Sequence, residues 1–142
     1  MTVPFWPSDL PQRVLVDGYS EGVADGRLRQ SMDAGPPKMR RRTSAATRPV
    51  RARLWLGFDQ KARLNRFWAE GVAGGSLPFW FPDQTMDGLA LLTADGAPLL
   101  TENGAPLVIT SWWLVMFGQD GIAFDAQSGV LFGAAFSLDI LP

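Results

Sequence analysis

The sequence predicts a mainly β fold: a β-sandwich or split β-barrel with one flanking α-helix at about residues 59–72 and a β-hairpin meander inserted over 83–106. Three observations point there. Val50, Ala52, Leu54 and Leu56 alternate with Arg51, Arg53 and Trp55, the period of two expected of a half-buried strand. Helical spacing occurs in one place, where Leu64, Phe67, Trp68 and Val72 recur on one side while Lys61, Arg63 and Arg66 fall mostly on the other. Turn signals punctuate the rest, above all Asp95-Gly96 and Asn103-Gly104, whose residues tolerate positive φ.

Taken in order, the opening carries Pro4, Pro7 and Pro11 among Phe5, Trp6 and Leu10, so it reads as an extended arm over residues 1–12. Its two aromatics need burial, against their own core or against a neighbour. Arg13–Val16 reads as a short strand ended by Asp17-Gly18, and Tyr19–Gly26 as a loop. An extended run through Leu28, Gln30 and Met32 stops at Gly35-Pro36-Pro37. Two strand-like halves follow, Lys38–Thr47 and Val50–Leu56, parted by Pro49. Asp59 is placed to cap the helix, and Gly71, Gly74 and Gly75 to end it. Leu77–Phe81 is an aromatic strand closed by Pro82-Asp83. Two similar units come next, Leu91–Pro98 and Leu99–Pro106, too few for a solenoid and suited to a small meander. Leu107–Phe117 reads as a strand with Gly118–Gly121 as its turn, then Ile122–Phe124, a turn at Ser128-Gly129 and a last strand Val130–Leu138.

At 142 residues the chain has a one-domain length. Hydrophobic residues make up 46% and charged residues 19%, an apolar balance that suggests part of the surface is covered by something else. The absence of cysteine excludes disulfides and thiolate metal sites. The absence of histidine removes the usual general base and the commonest transition-metal ligand, so no enzyme and no cofactor are expected; carboxylate-only hydrolysis or a Ser-Lys dyad stays open in principle. Asp95, Asp120 and Asp125 lack the spacing of a calcium loop, and turn chemistry accounts for the first two. The opening residues lack the basic-then-apolar pattern of a secretory signal, and no apolar run is long enough for a membrane helix.

Charge is segregated. Residues 1–66 hold 13 basic and six acidic residues, a balance of +7, whereas residues 67–142 hold eight acids and no Lys or Arg, −8. Such asymmetry fits a head-to-tail contact between copies that closes into a ring. The alternative is a fold in which the halves interleave and neutralise one another within one molecule. Lys38, Arg40, Arg41 and Arg42 form the densest basic cluster. Side chains alternate along a strand, so Lys38, Arg40 and Arg42 share a face without Arg41. Three readings compete for that face: a subunit contact, a nucleic-acid site and a plain solvated surface. Of the six tryptophans, Trp68 belongs to the helix's apolar side; Trp112 and Trp113 are adjacent, so one points inward and the other outward. The candidate contact residues are therefore Trp6, Lys38, Arg40, Arg42 and Trp113, tryptophan being favoured at contact centres. Glycan stacking on tryptophan is a further reading.

Pro11–Ser20, containing Asp17-Gly18-Tyr19-Ser20, resembles the start of the lambda-type minor tail protein, or distal tail protein, family of tailed bacteriophages, prophages and gene-transfer agents. In the same order come the strand Val50–Leu56, a helix with Phe67 inward, Gly74–Pro82 leading into an aromatic strand, and a closing strand at Phe132–Leu141. Met32–Thr43 is similar to a segment of phage and prophage proteins of this size. Val16 stands where the family pattern has Gly, and the meander is an insertion. The resemblance covers roughly residues 5–82 and the closing strand. It implies a virion structural protein of a siphovirus-like tail tip, assembled in the bacterial host cytoplasm. It also implies a homo-oligomeric ring, a hexamer, between the tail tube protein and the hub, baseplate or fibre proteins. The tape measure protein is a further candidate partner; DNA would pass through the lumen without specific binding, and no membrane is involved. The alternative is a small β-barrel nucleic-acid-binding module using the first-half arginines.

Overall fold

The computed structural model describes residues 2–142 and bears out the mainly β prediction. A five-stranded antiparallel sheet, curled into a half-barrel, is accompanied by one short helix and a separate two-stranded sheet. The strands are β1 (Ser20–Glu21), β2 (Arg27–Gln30), β3 (Lys38–Arg41), β4 (Arg48–Leu56), β5 (Phe79–Pro82), β6 (Trp112–Ser128) and β7 (Leu131–Ile140). The large sheet has the order β1-β4-β7-β6-β5, and β2 pairs with β3 alone.

Register explains the core. Val50, Ala52 and Leu54 lie opposite Leu138, Phe136 and Ala134, and Phe79 and Phe81 opposite Val115 and Trp113. All of these line the concave face and are buried. The helix α1 (Phe58–Arg66) continues into a π-helical turn, Phe67–Gly71, closed by the Val72 N–H donating to the Phe67 carbonyl. Leu64, Phe67 and Val72 are buried beneath it, as their spacing predicts. Asp59 is not its cap: the chain enters at Gly57, whose N–H donates to Gln60 Oε1 at 3.1 Å.

The arm closes the sheet at its β5 edge. Trp80 N–H donates to the Pro4 carbonyl at 2.9 Å and Trp6 N–H to the Trp80 carbonyl at 2.8 Å. An arm rich in proline thus covers the β5 edge, a common way to blunt an edge strand. Trp6 turns inward among Phe67, Phe79, Phe81 and Phe136, with ring centroids 5.0–6.1 Å away.

Two strand predictions and one turn prediction are corrected. Arg13–Val16 is irregular, held beside β4 by a bond from Leu15 N–H to the Arg53 carbonyl. The strand Lys38–Thr47 ends at Arg41. Gly118–Gly121 is not a turn but a bulge inside β6: Phe117 pairs with Leu138 and Ile122 with Phe136, so four residues face Ser137 alone. Gly121 takes φ +67°, and a side chain on Gly118 would collide with Ser137.

Candidate assembly interface

Two elements stand off the half-barrel. The first is the hairpin β2–β3, in which Leu28 pairs with Arg40 and Gln30 with Lys38. Alternation puts these four on one face. Arg42 extends it, its N–H donating to the Gly26 carbonyl at 2.7 Å. Arg27, Arg29, Met39 and Arg41 form the reverse face. All eight strand residues except half-buried Leu28 are exposed. An open depression on the hairpin is lined by Leu28, Gln30, Lys38, Met39 and Arg40. Asp25, just before β2, is engaged with Arg27: two side-chain bonds of 2.8 Å from that guanidinium hold the carboxyl pKa at about 2. The other cations of the hairpin form no ion pair among the described residues.

The second is residues 89–109, and its architecture differs from the meander expected there. Leu91 N–H donates to the Leu107 carbonyl, Leu107 N–H to Leu99, and Leu99 N–H to Leu91, each at 2.9 Å. This closed ring of three bonds is surrounded by three equivalent bridges, Leu92 with Pro98, Leu100 with Pro106, and Ala90 with Val108. The element is a trefoil with pseudo-threefold symmetry. Two legs are the repeated units, each tightened by a threonine hydroxyl that accepts an amide four residues on, Thr93 from Ala97 and Thr101 from Ala105. The third leg is split between the incoming Leu89-Ala90 and the outgoing Leu107-Val108. Exposure repeats with the symmetry: 41, 40 and 40% at Leu91, Leu99 and Leu107, and 58, 55 and 53% at Leu92, Leu100 and Val108. Successive residues point to opposite sides, so both faces of this thin element carry three aliphatic side chains in water. Asp95 and Glu102 sit exposed at the two free tips.

The trefoil is firmly mounted. Asp83, buried at its base, accepts from the Thr85 hydroxyl and amide and the Met86 amide through Oδ1, and from the Ser111 hydroxyl through Oδ2. Burial alone would raise its pKa; these bonds outweigh that and hold it below the ordinary 3.8. Ser111 N–H donates to Asp87 Oδ1, Arg13 donates to the Gln84 and Asp87 carbonyls, and Gln84 Oε1 accepts from Val14.

The predicted contact residues are divided by this geometry. Lys38, Arg40 and Arg42 share one exposed face. Trp6 and Trp113 are corrected: they are 2% and 8% exposed, sealed in the chain's own core, and present nothing to a partner. Trp113 instead lies under the Arg48 guanidinium, 5.5 Å from its ring centroid. Its neighbour Trp112 takes the outward side, half-buried against exposed Phe5 at 5.3 Å. The exposed trefoil leucines were not among the predicted candidates; the signal for them was the eight-residue spacing of Leu91, Leu99 and Leu107, visible only when the third, incomplete unit is counted.

The charged halves interleave only in part. Arg53 reaches Asp125 at 3.8 Å across the sheet, while the other two ion pairs among the described residues, Arg63 with Asp9 and Arg27 with Asp25, stay within the first half. Among the described residues no three potential metal ligands cluster, and no helix is long and apolar enough to cross a membrane. No family model, curated protein or solved structure matches the chain.

Proposed function

We propose that the chain is a structural component of a phage-like tail tip, one copy of a ring that joins the end of the tail tube to hub, baseplate or fibre proteins. The observation that carries this reading is the pairing of two projections on one body: a cationic hairpin, and an aliphatic trefoil drawn from a half with no Lys or Arg. Neither contributes to the core. A head-to-tail contact needs two different, complementary surfaces on the same molecule, and such a contact closes into a ring when the rotation between copies allows it. The resemblance of residues 5–82 to distal tail proteins supports the same reading. Function in this sense is stacking and closure around a lumen through which DNA passes unread.

Native mass spectrometry across a concentration series tests it. We expect a closed multiple of the 15.5 kDa chain, a hexamer. A monomer at every concentration, with no binding to tube or hub proteins, would overturn it.

The nucleic-acid reading is favoured by one observation, the shared face of Lys38, Arg40 and Arg42 without ionic partners. It requires an affinity for DNA or RNA that falls steeply with salt and is lost in Arg40→Ala/Arg42→Ala.

A further inference from the structure

We propose that the trefoil of one copy seats on the β2–β3 hairpin of the next, with its aliphatic side chains over the Leu28 depression and Asp95 and Glu102 facing Lys38, Arg40 and Arg42. This rests on the ring reading and names the contact that closes the ring.

Each element lacks something that the other supplies. An isolated two-stranded hairpin is marginal in water, and among the described residues no other strand or helix packs broadly on this one. On the face shared by Lys38, Arg40 and Arg42 its apolar strand residue is Leu28, rimmed by those cations, while Met39 belongs to the reverse face. The trefoil offers three aliphatic side chains on each face, far more than its own thin structure can shelter, and has acids but no cations at its rim. Its base is clamped through Asp83, Ser111, Gln84 and Arg13, so it is held out from the body as a fixed shape, which lowers the ordering cost of docking.

Charge selects the occupant. Two trefoils face to face would bring Asp95 and Glu102 against their own kind, and two hairpins would oppose their arginines. Trefoil against hairpin is the one pairing of these elements that is attractive in charge and apolar at its centre. The eight-residue repeat gives the contact tolerance as well: the aliphatic positions are equivalent by symmetry, so a neighbour can be met by more than one leg.

The chain contains no cysteine, so single cysteines report contacts without background. Arg40→Cys and Glu102→Cys chains, both altered at exposed positions, are mixed in equal amounts and oxidised mildly. We expect the mixed 40–102 disulfide to exceed the half share that random pairing gives, and its rate of formation to drop several-fold in about 1 M salt, where screening shortens to about 3 Å. Dominant 102–102 products would overturn the proposal in favour of stacked trefoils. A random distribution from a chain that still assembles would overturn the proposal and leave the ring reading standing. No crosslinks from a chain that remains monomeric would overturn both.

Discussion

At the residue scale, parity along a strand says that two neighbours diverge but not which one is buried. Trp112-Trp113 shows this: alternation sets one against the other, and the choice is made by pairing with β5, where Trp113 falls opposite the inward Phe81. Trp6 shows the same gap from another side, since a proline-rich arm can lie on its own sheet or on a neighbour's, and only the bonds to Trp80 decide. Asp83 is a residue whose role no motif announces. Its hydrogen bonds favour the ionised form, so the folded pKa lies below the unfolded one. The stability it adds is therefore present above about pH 4 and is lost as pH falls through the lowered value. Asp83→Asn cannot accept through both carboxyl oxygens. We expect it to cost about 1–3 kcal/mol near pH 7 and to narrow its difference from the parent chain as pH approaches about 2, measured by urea unfolding. A cost unchanged over that range would contradict the assignment.

At the element scale, what the sequence made legible was periodicity. The alternation of Val50–Leu56 recurs in β4, and the helical spacing of Leu64, Phe67 and Val72 in α1 and the π-helical turn that continues it, because each side chain's burial there follows from local geometry. Elements set by non-local pairing were less legible. Gly118–Gly121 carries turn residues, yet β7 runs alongside and converts them into a bulge. Leu107–Ile109 carries strand residues, yet pairing with Leu89, Leu91 and Leu99 draws them into the trefoil, and β6 starts only at Trp112. The trefoil is also separable in energetic terms, since no residue from 84 to 112 belongs to the buried apolar core. Replacing residues 89–109 by a short glycine linker should shift the unfolding free energy by no more than about 1 kcal/mol, because a shorter loop costs less to close. The same deletion should abolish association between copies, read by sedimentation. Loss of the fold would mean that the trefoil supports the sheet.

At the scale of the whole molecule, the half-barrel is internally complete, its concave face filled by the arm and the helix. The two projections are not. Their charges oppose, their apolar residues face water, and neither is sheltered by the body that carries it. Copies of the chain supply what each projection lacks, and the contact follows from that pairing. Amide hydrogen exchange at residues 27–30 and 38–41, compared between dilute and concentrated protein, measures this most directly. Protection at these amides should rise with concentration while β4 and β7 stay as they are. Hairpin amides that exchange at one fixed rate, whatever the concentration and whatever the assembly state, would contradict the account.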